Sequence, residues 1–240
     1  MNPTFLALIL LFVPALAQAD GDIIASTSWA AAYARAAGAT NVRVIAPEGL
    51  QHPPDYDPKP SDLMAIHEAK YLLLGGFEGF ASRLAEAAGS TATLIRLRLT
   101  FDPALVESEV LRLGQILGTQ SQAEAFVVQW RHEVAEASHR LRQHPPRTCL
   151  VHVFLQPWAQ LAGLEVRGTF GPKPLSVPEL TRLAGLGAEL ILDNAHMPLA
   201  EPLASATGAR RVVLRNFPGP GQGLLDVLHD NTALLEQGLH

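Results

Sequence analysis

The chain has 240 residues, a formal net charge of −5 and one cysteine, Cys149. That acidic balance, with no dense Lys/Arg cluster, argues against nucleic acid as a partner, because phosphate backbones are held by gathered cations. A lone thiol cannot close an internal disulfide, and at the head of an apolar run it reads as a core residue.

Residues 5–16 form an apolar run followed by Ala17-Gln18-Ala19, a small-x-small pattern that predicts a signal peptide over residues 1–19. Cleavage there leaves 240 − 19 = 221 residues, placed in the periplasm. The run is too short to favour a membrane span. Ile23 to Ser26 then reads as a strand, Trp29 to Ala37 as an alanine-rich helix closing at Gly38, and Val42 to Ile45 as a second strand. Ser61 is expected to cap a short helix through Ala69, and Tyr71 to Leu74 is a fully apolar strand of the kind buried in parallel sheets. Ser82 to Ala88 reads as a helix, Thr93 to Leu97 as a strand, and Asp102-Pro103 starts a helix that closes at Leu117-Gly118.

From Ser121 to Arg142 there is no Gly or Pro, and Phe126, Trp130, Val134, Ala137 and Leu141 step by three or four, as one helix face requires. At ~1.5 Å per residue this helix is roughly 33 Å long, enough to link two lobes. Strand and helix then alternate again. Strands are expected at Cys149 to Leu155, Leu190 to Leu192 and Arg211 to Leu214. Helices are expected near Trp158 to Ala162 and at Pro178 to Leu186, Leu199 to Thr207 and Gly223 to Gln237, with a Gly/Pro-rich loop at Gly168 to Pro174. The fold class is therefore α/β: two similar lobes, each a small mostly parallel sheet flanked by helices, joined by one long linking helix. Its boundaries fall at 20–118, 119–144 and 145–240.

The stretch from Val42 to Glu78 carries the clearest functional signal. Four prolines stiffen a loop that presents His52 and several carboxylates at a strand end, where open α/β sheets bind ligands. Catalytic patterns are missing: there is no Gly-x-Ser-x-Gly, P-loop, His-Glu-x-x-His or Gly-x-Gly-x-x-Gly, so no enzyme is expected. The Gly-rich segment from Phe217 to Gly223 contains prolines that remove backbone donors, which suits a mobile or cleft-lining loop better than a phosphate cradle.

Tyr56-Asp-Pro-Lys-Pro-Ser-Asp62 followed by Tyr71-Leu-Leu-Leu-Gly-Gly resembles the His-x-Tyr-Glu-Pro-x-Pro-x-Asp region of the zinc- and manganese-type metal receptors, the solute-binding proteins of bacterial ABC importers. In that family one long helix joins two lobes. The family histidine two residues before the tyrosine is replaced here by Pro54, with His52 two positions earlier, and the second family histidine slot holds Arg98. His152, in Val151-His152-Val153, matches the third. The carboxylate position corresponds to Asp193 in Leu190-Ile-Leu-Asp193, with His196 three residues on, and a late aspartate of some members falls at Asn216.

The resemblance implies a transported zinc ion held in the inter-lobe cleft by His52, His152, Asp193 and His196, a tetrahedral mixture of imidazole and carboxylate that zinc accepts. Manganese, copper, nickel and cobalt stay open, since ligand type alone does not fix the metal. The implied partner is an ABC permease of the inner membrane, fed by a monomer. Two further readings stand beside this one: a receptor for a metal chelate, tetrapyrrole or corrinoid, for which Arg98, Trp158 and Arg215 suit, and an accessory protein that docks on another periplasmic protein. Glu78 reads as a solvated carboxylate facing the same cleft.

Overall fold

The computed structural model describes residues 23–240, so the signal-peptide expectation for residues 1–19 lies outside the described residues. Two four-stranded parallel sheets form the two lobes. The first contains β1 (Ile23–Ala25), β2 (Val42–Val44), β3 (Tyr71–Leu74) and β4 (Thr93–Arg96) in the order β2-β1-β3-β4. The second contains β5 (Thr148–His152), β6 (Glu165–Phe170), β7 (Leu190–Asn194) and β8 (Arg210–Leu214) in the order β6-β5-β7-β8. Both sheets thus repeat one order, with the chain reversing direction across the sheet beside the first strand of each lobe, where a crevice opens at the strand carboxyl ends.

Helices cover the sheets: α1 (Ser28–Ala36), α2 (Pro60–Glu68), α3 (Ala81–Ala87) and α4 (Pro103–Leu117) in the first lobe, and α6 (Gln156–Leu161), α7 (Val177–Ala184), α8 (Glu201–Thr207) and α9 (Leu224–Leu239) in the second. Between the lobes runs α5 (Gln120–Leu141). Asp102 caps α4 by accepting from the amides of Ala104 and Leu105, and Gly118 closes it in the left-handed conformation at φ 73°. Trp130, Ala137 and Leu141 of the expected stripe are buried on α5 together with Ala123 and Val127, while Phe126 and Val134 are partly buried against the same core. No described helix is long and apolar enough to cross a membrane.

One apolar cluster passes from Ile23 and Trp29 through α4 and α5 to Trp158, Leu192 and Leu239, so the lobes share a core instead of each closing on its own. Smaller clusters sit under α2 and α3 and under α7 and α8, on the outer sides. Cys149 is buried in the shared core, where desolvation pushes its thiol up to about 12 and leaves it unreactive.

Three local expectations are corrected. The segment expected as a loop at Gly168 to Pro174 begins inside β6, an edge strand with mostly exposed side chains and so without the apolar alternation that reveals a strand. The strand expected through Leu155 ends at His152 and turns into a short 3-10 segment, Val153–Leu155. The short helix begins at Pro60, capped from Lys59, and Asp62 accepts from the Lys59 amide at 2.9 Å in place of any cap by Ser61.

Candidate functional site

Loops leaving the carboxyl ends of the strands of both lobes converge on one cavity of about 570 Å³. His52, Trp29 and Phe77 line it from the first lobe, and His196, Asn216 and Phe217 from the second. The tyrosine motif builds the loop that carries His52. Tyr56 donates its hydroxyl to Asp62 Oδ2 at 2.9 Å, and Arg43 holds Asp62 Oδ1 at 3.3 Å, which ties the loop to α2. Burial, followed by the Asp62 bond, raises the Tyr56 phenol above its ordinary value. Between His52 and Tyr56 the chain forms a single 3-10 turn, Pro53–Asp55, which takes up the two-residue displacement of the histidine. His52 Nδ1 lies 2.8 Å from Asp55 Oδ2, a close electrostatic contact that is off-line for a hydrogen bond.

His196 stands on the loop after β7, and that loop is built by Asp193. Asp193 Oδ1 accepts from the amides of Asn194 at 2.9 Å and Leu199 at 3.2 Å, and Oδ2 accepts from Ala200 N at 3.2 Å and from Arg211 at 2.8 and 2.9 Å. Both oxygens are engaged, and through them Asp193 positions the loop that carries His196. The Asn194 side chain then accepts the His196 amide at 3.0 Å. His196 Nδ1 meets the backbone oxygen of Gln51, in the opposite lobe, at 3.1 Å. A carbonyl can only accept, so Nδ1 carries the proton and Nε2 is left with its lone pair, the state in which imidazole ligates metal. That Nε2 is buried and has no partner. Desolvation, ahead of the other influences, lowers the His196 pKa and keeps the ring neutral near pH 7.

His152, the other histidine expected to ligate, also has its Nε2 buried without a partner. It ends β5 fully buried, with Nδ1 accepting the Phe154 amide at 3.3 Å and the ring edge-on to Phe170. It does not line the cavity; a Cβ added at Gly171 would stand 2.5 Å from its Nε2, so that residue packs directly over the ring. The imidazoles that meet from opposite lobes are therefore His52 and His196. Glu78 is corrected from a solvated carboxylate to a buried one that accepts from Ser26 Oγ and from the amides of Gly75 and Gly76 at 2.9 and 2.7 Å. Arg98 is turned onto the buried Glu109, 3.3 Å away, and its guanidinium does not line the cavity.

Asn216 and the aromatic walls carry more of the site than the sequence reading gave them. Asn231 of α9 accepts the Arg215 amide at 2.9 Å and donates to its carbonyl at 2.8 Å, fixing the backbone that presents Asn216. Asn216 Oδ1 is buried without a partner, as is the indole N–H of Trp29. Trp29 is stacked on Phe101 at 5.5 Å, with Phe217 edge-on at 5.4 Å. The available signal was positional: Trp29 and Asn216 each follow an apolar strand, as His52 and His196 do. Among the described residues, no group of three or more His, Cys, Asp or Glu side chains is arranged to hold a metal.

Two lobes of parallel sheet joined by a single long helix define the fold of the metal-receptor solute-binding proteins. Solved structures with this fold include the laminin-binding protein Lmb of Streptococcus agalactiae, described as bifunctional with adhesin and metal transporting activity; it is 20% identical and aligns over 92% of this chain and 100% of that one at a TM-score of 0.72. A zinc-bound ZnuA deletion mutant is 20% identical over 90% of this chain and 95% of that one, at 0.69. The solute-binding protein FpvC of P. aeruginosa, in complex with Ni2+, is 17% identical over 90% and 96%, at 0.72. No protein-family model matches the sequence, and no curated protein matches it.

Proposed function

We propose that the chain is a solute-binding protein acting outside the cytoplasmic membrane, without enzymatic activity, that captures a divalent transition metal in the inter-lobe cleft and delivers it to an ABC importer. One observation carries this reading: His196 Nε2 is buried and unpaired, with Nδ1 held by a backbone carbonyl from the other lobe. A ligating histidine is oriented in this way, its second nitrogen donating to a carbonyl or carboxylate. His52 and the Asn216 oxygen are the other protein donors. Zinc and nickel both accept nitrogen with oxygen, and two of the similar structures hold zinc and Ni2+ respectively. Metal analysis of protein isolated from the periplasm tests the reading. About one first-row transition metal per chain is expected, falling to background in His196→Ala. A native protein that takes up no such metal, offered free or in complex, overturns it.

A further inference from the structure

The cavity is larger than a metal ion needs and differently equipped. Its volume of about 570 Å³ is that of a small organic ligand site, and Trp29, Phe77, Phe154 and Phe217 give it aromatic wall. The buried donors left unpaired toward a metal belong to His52, His196 and Asn216, three against the four that zinc takes in a closed site. None of the three is a carboxylate. The one carboxylate in the lining, Asp102, has Oδ1 already committed to the amides of Ala104 and Leu105, and Asp55 stands behind His52. A dication in this setting would be short of counter-charge, whereas buried charges are ordinarily compensated. The unpaired atoms point the same way. His196 Nε2 and Asn216 Oδ1 can face a cation, but the Trp29 indole N–H, buried without a partner beside the same cavity, is a donor only and needs an acceptor that no cation supplies.

Resting on the metal-receptor reading, we infer that the cargo is a metal carried by a small anionic chelator: the chelator's oxygens complete the coordination, neutralise the ion and accept from Trp29, while its carbon skeleton fills the space against Trp29, Phe77 and Phe217. His52 and His196 then bind the metal as additional ligands.

Calorimetry on metal-stripped mature protein separates the possibilities, with Ni2+ alone, Ni2+ premixed with citrate or with L-histidine, and each chelator without metal. At least one complex is expected to bind about tenfold or more tighter than the free ion, and Trp29→Phe, which keeps a ring and removes the N–H, to reduce that preference by roughly tenfold. Free Ni2+ binding as tightly as both complexes, or Trp29→Phe leaving the preference intact, overturns this inference and spares the metal-receptor reading. A chelator that binds equally well without metal, or no binding by free ion or complex, overturns both.

Discussion

At His152 a buried imidazole couples stability to pH. Desolvation lowers its pKa from the ordinary 6.5, and the opposing charge of Asp193 is the lesser influence. The unfolded chain therefore takes up its proton first as the medium acidifies. The sign follows: above pH 6.5 the ring is neutral in both states and contributes no pH dependence, and stability is lost as pH falls from there through the depressed folded value. The loss amounts to about 1.4 kcal/mol for each pH unit separating the two values. Urea unfolding at pH 7 and pH 5 should show His152→Gln to be less pH-sensitive than the native chain; equal slopes would mean that the ring is not buried in neutral form. This residue also marks the limit of reading a site from sequence. The strand pattern puts His152 and Asp193 near the carboxyl ends of β5 and β7, and His52 and His196 on loops beyond strand ends. It does not reveal which side chains neighbours consume. Arg211, eighteen residues from Asp193, and Gly171, nineteen from His152, decide the matter in three dimensions.

The elements were legible wherever one face is buried, and β6 was missed because its edge position leaves no such face. The junction of α4 and α5 shows what periodicity cannot report, namely how near two helices pass. Gly114 lies inside α4, and a Cβ there would meet the Ala123 Cβ of α5 at 2.5 Å. Replacing a mid-helix glycine by alanine ordinarily stabilises by roughly 0.5–1 kcal/mol. Overpacking costs about 1–3 kcal/mol, and here the opposing atom is a Cβ fixed to helical backbone, not the end of a flexible side chain. The clash should win, so Gly114→Ala is expected to unfold at a lower urea concentration than the native chain. A higher midpoint would show that the two helices separate easily.

Across the whole molecule the shared core argues for little hinge motion. The apolar cluster continues from the first lobe through α5 into the second, and α9 packs along α5 and reaches α1, so opening the lobes would expose core that each has in common with the other. A single stiff helix resists hinge opening further, since hinges need a few residues free to change φ and ψ. At the cleft itself Gln51 makes two polar contacts with the other side, its side chain donating to the Ala195 carbonyl and its own carbonyl meeting His196 Nδ1. These are the contacts a ligand at His196 can rearrange without disturbing the core. Solution scattering should therefore give the same radius of gyration for metal-free and loaded protein. Hydrogen exchange should slow on loading in residues 48–56 and 194–198 and stay unchanged in α5. A compaction beyond experimental error, or altered exchange along α5, would show instead that the lobes move as separate bodies and that the common core opens.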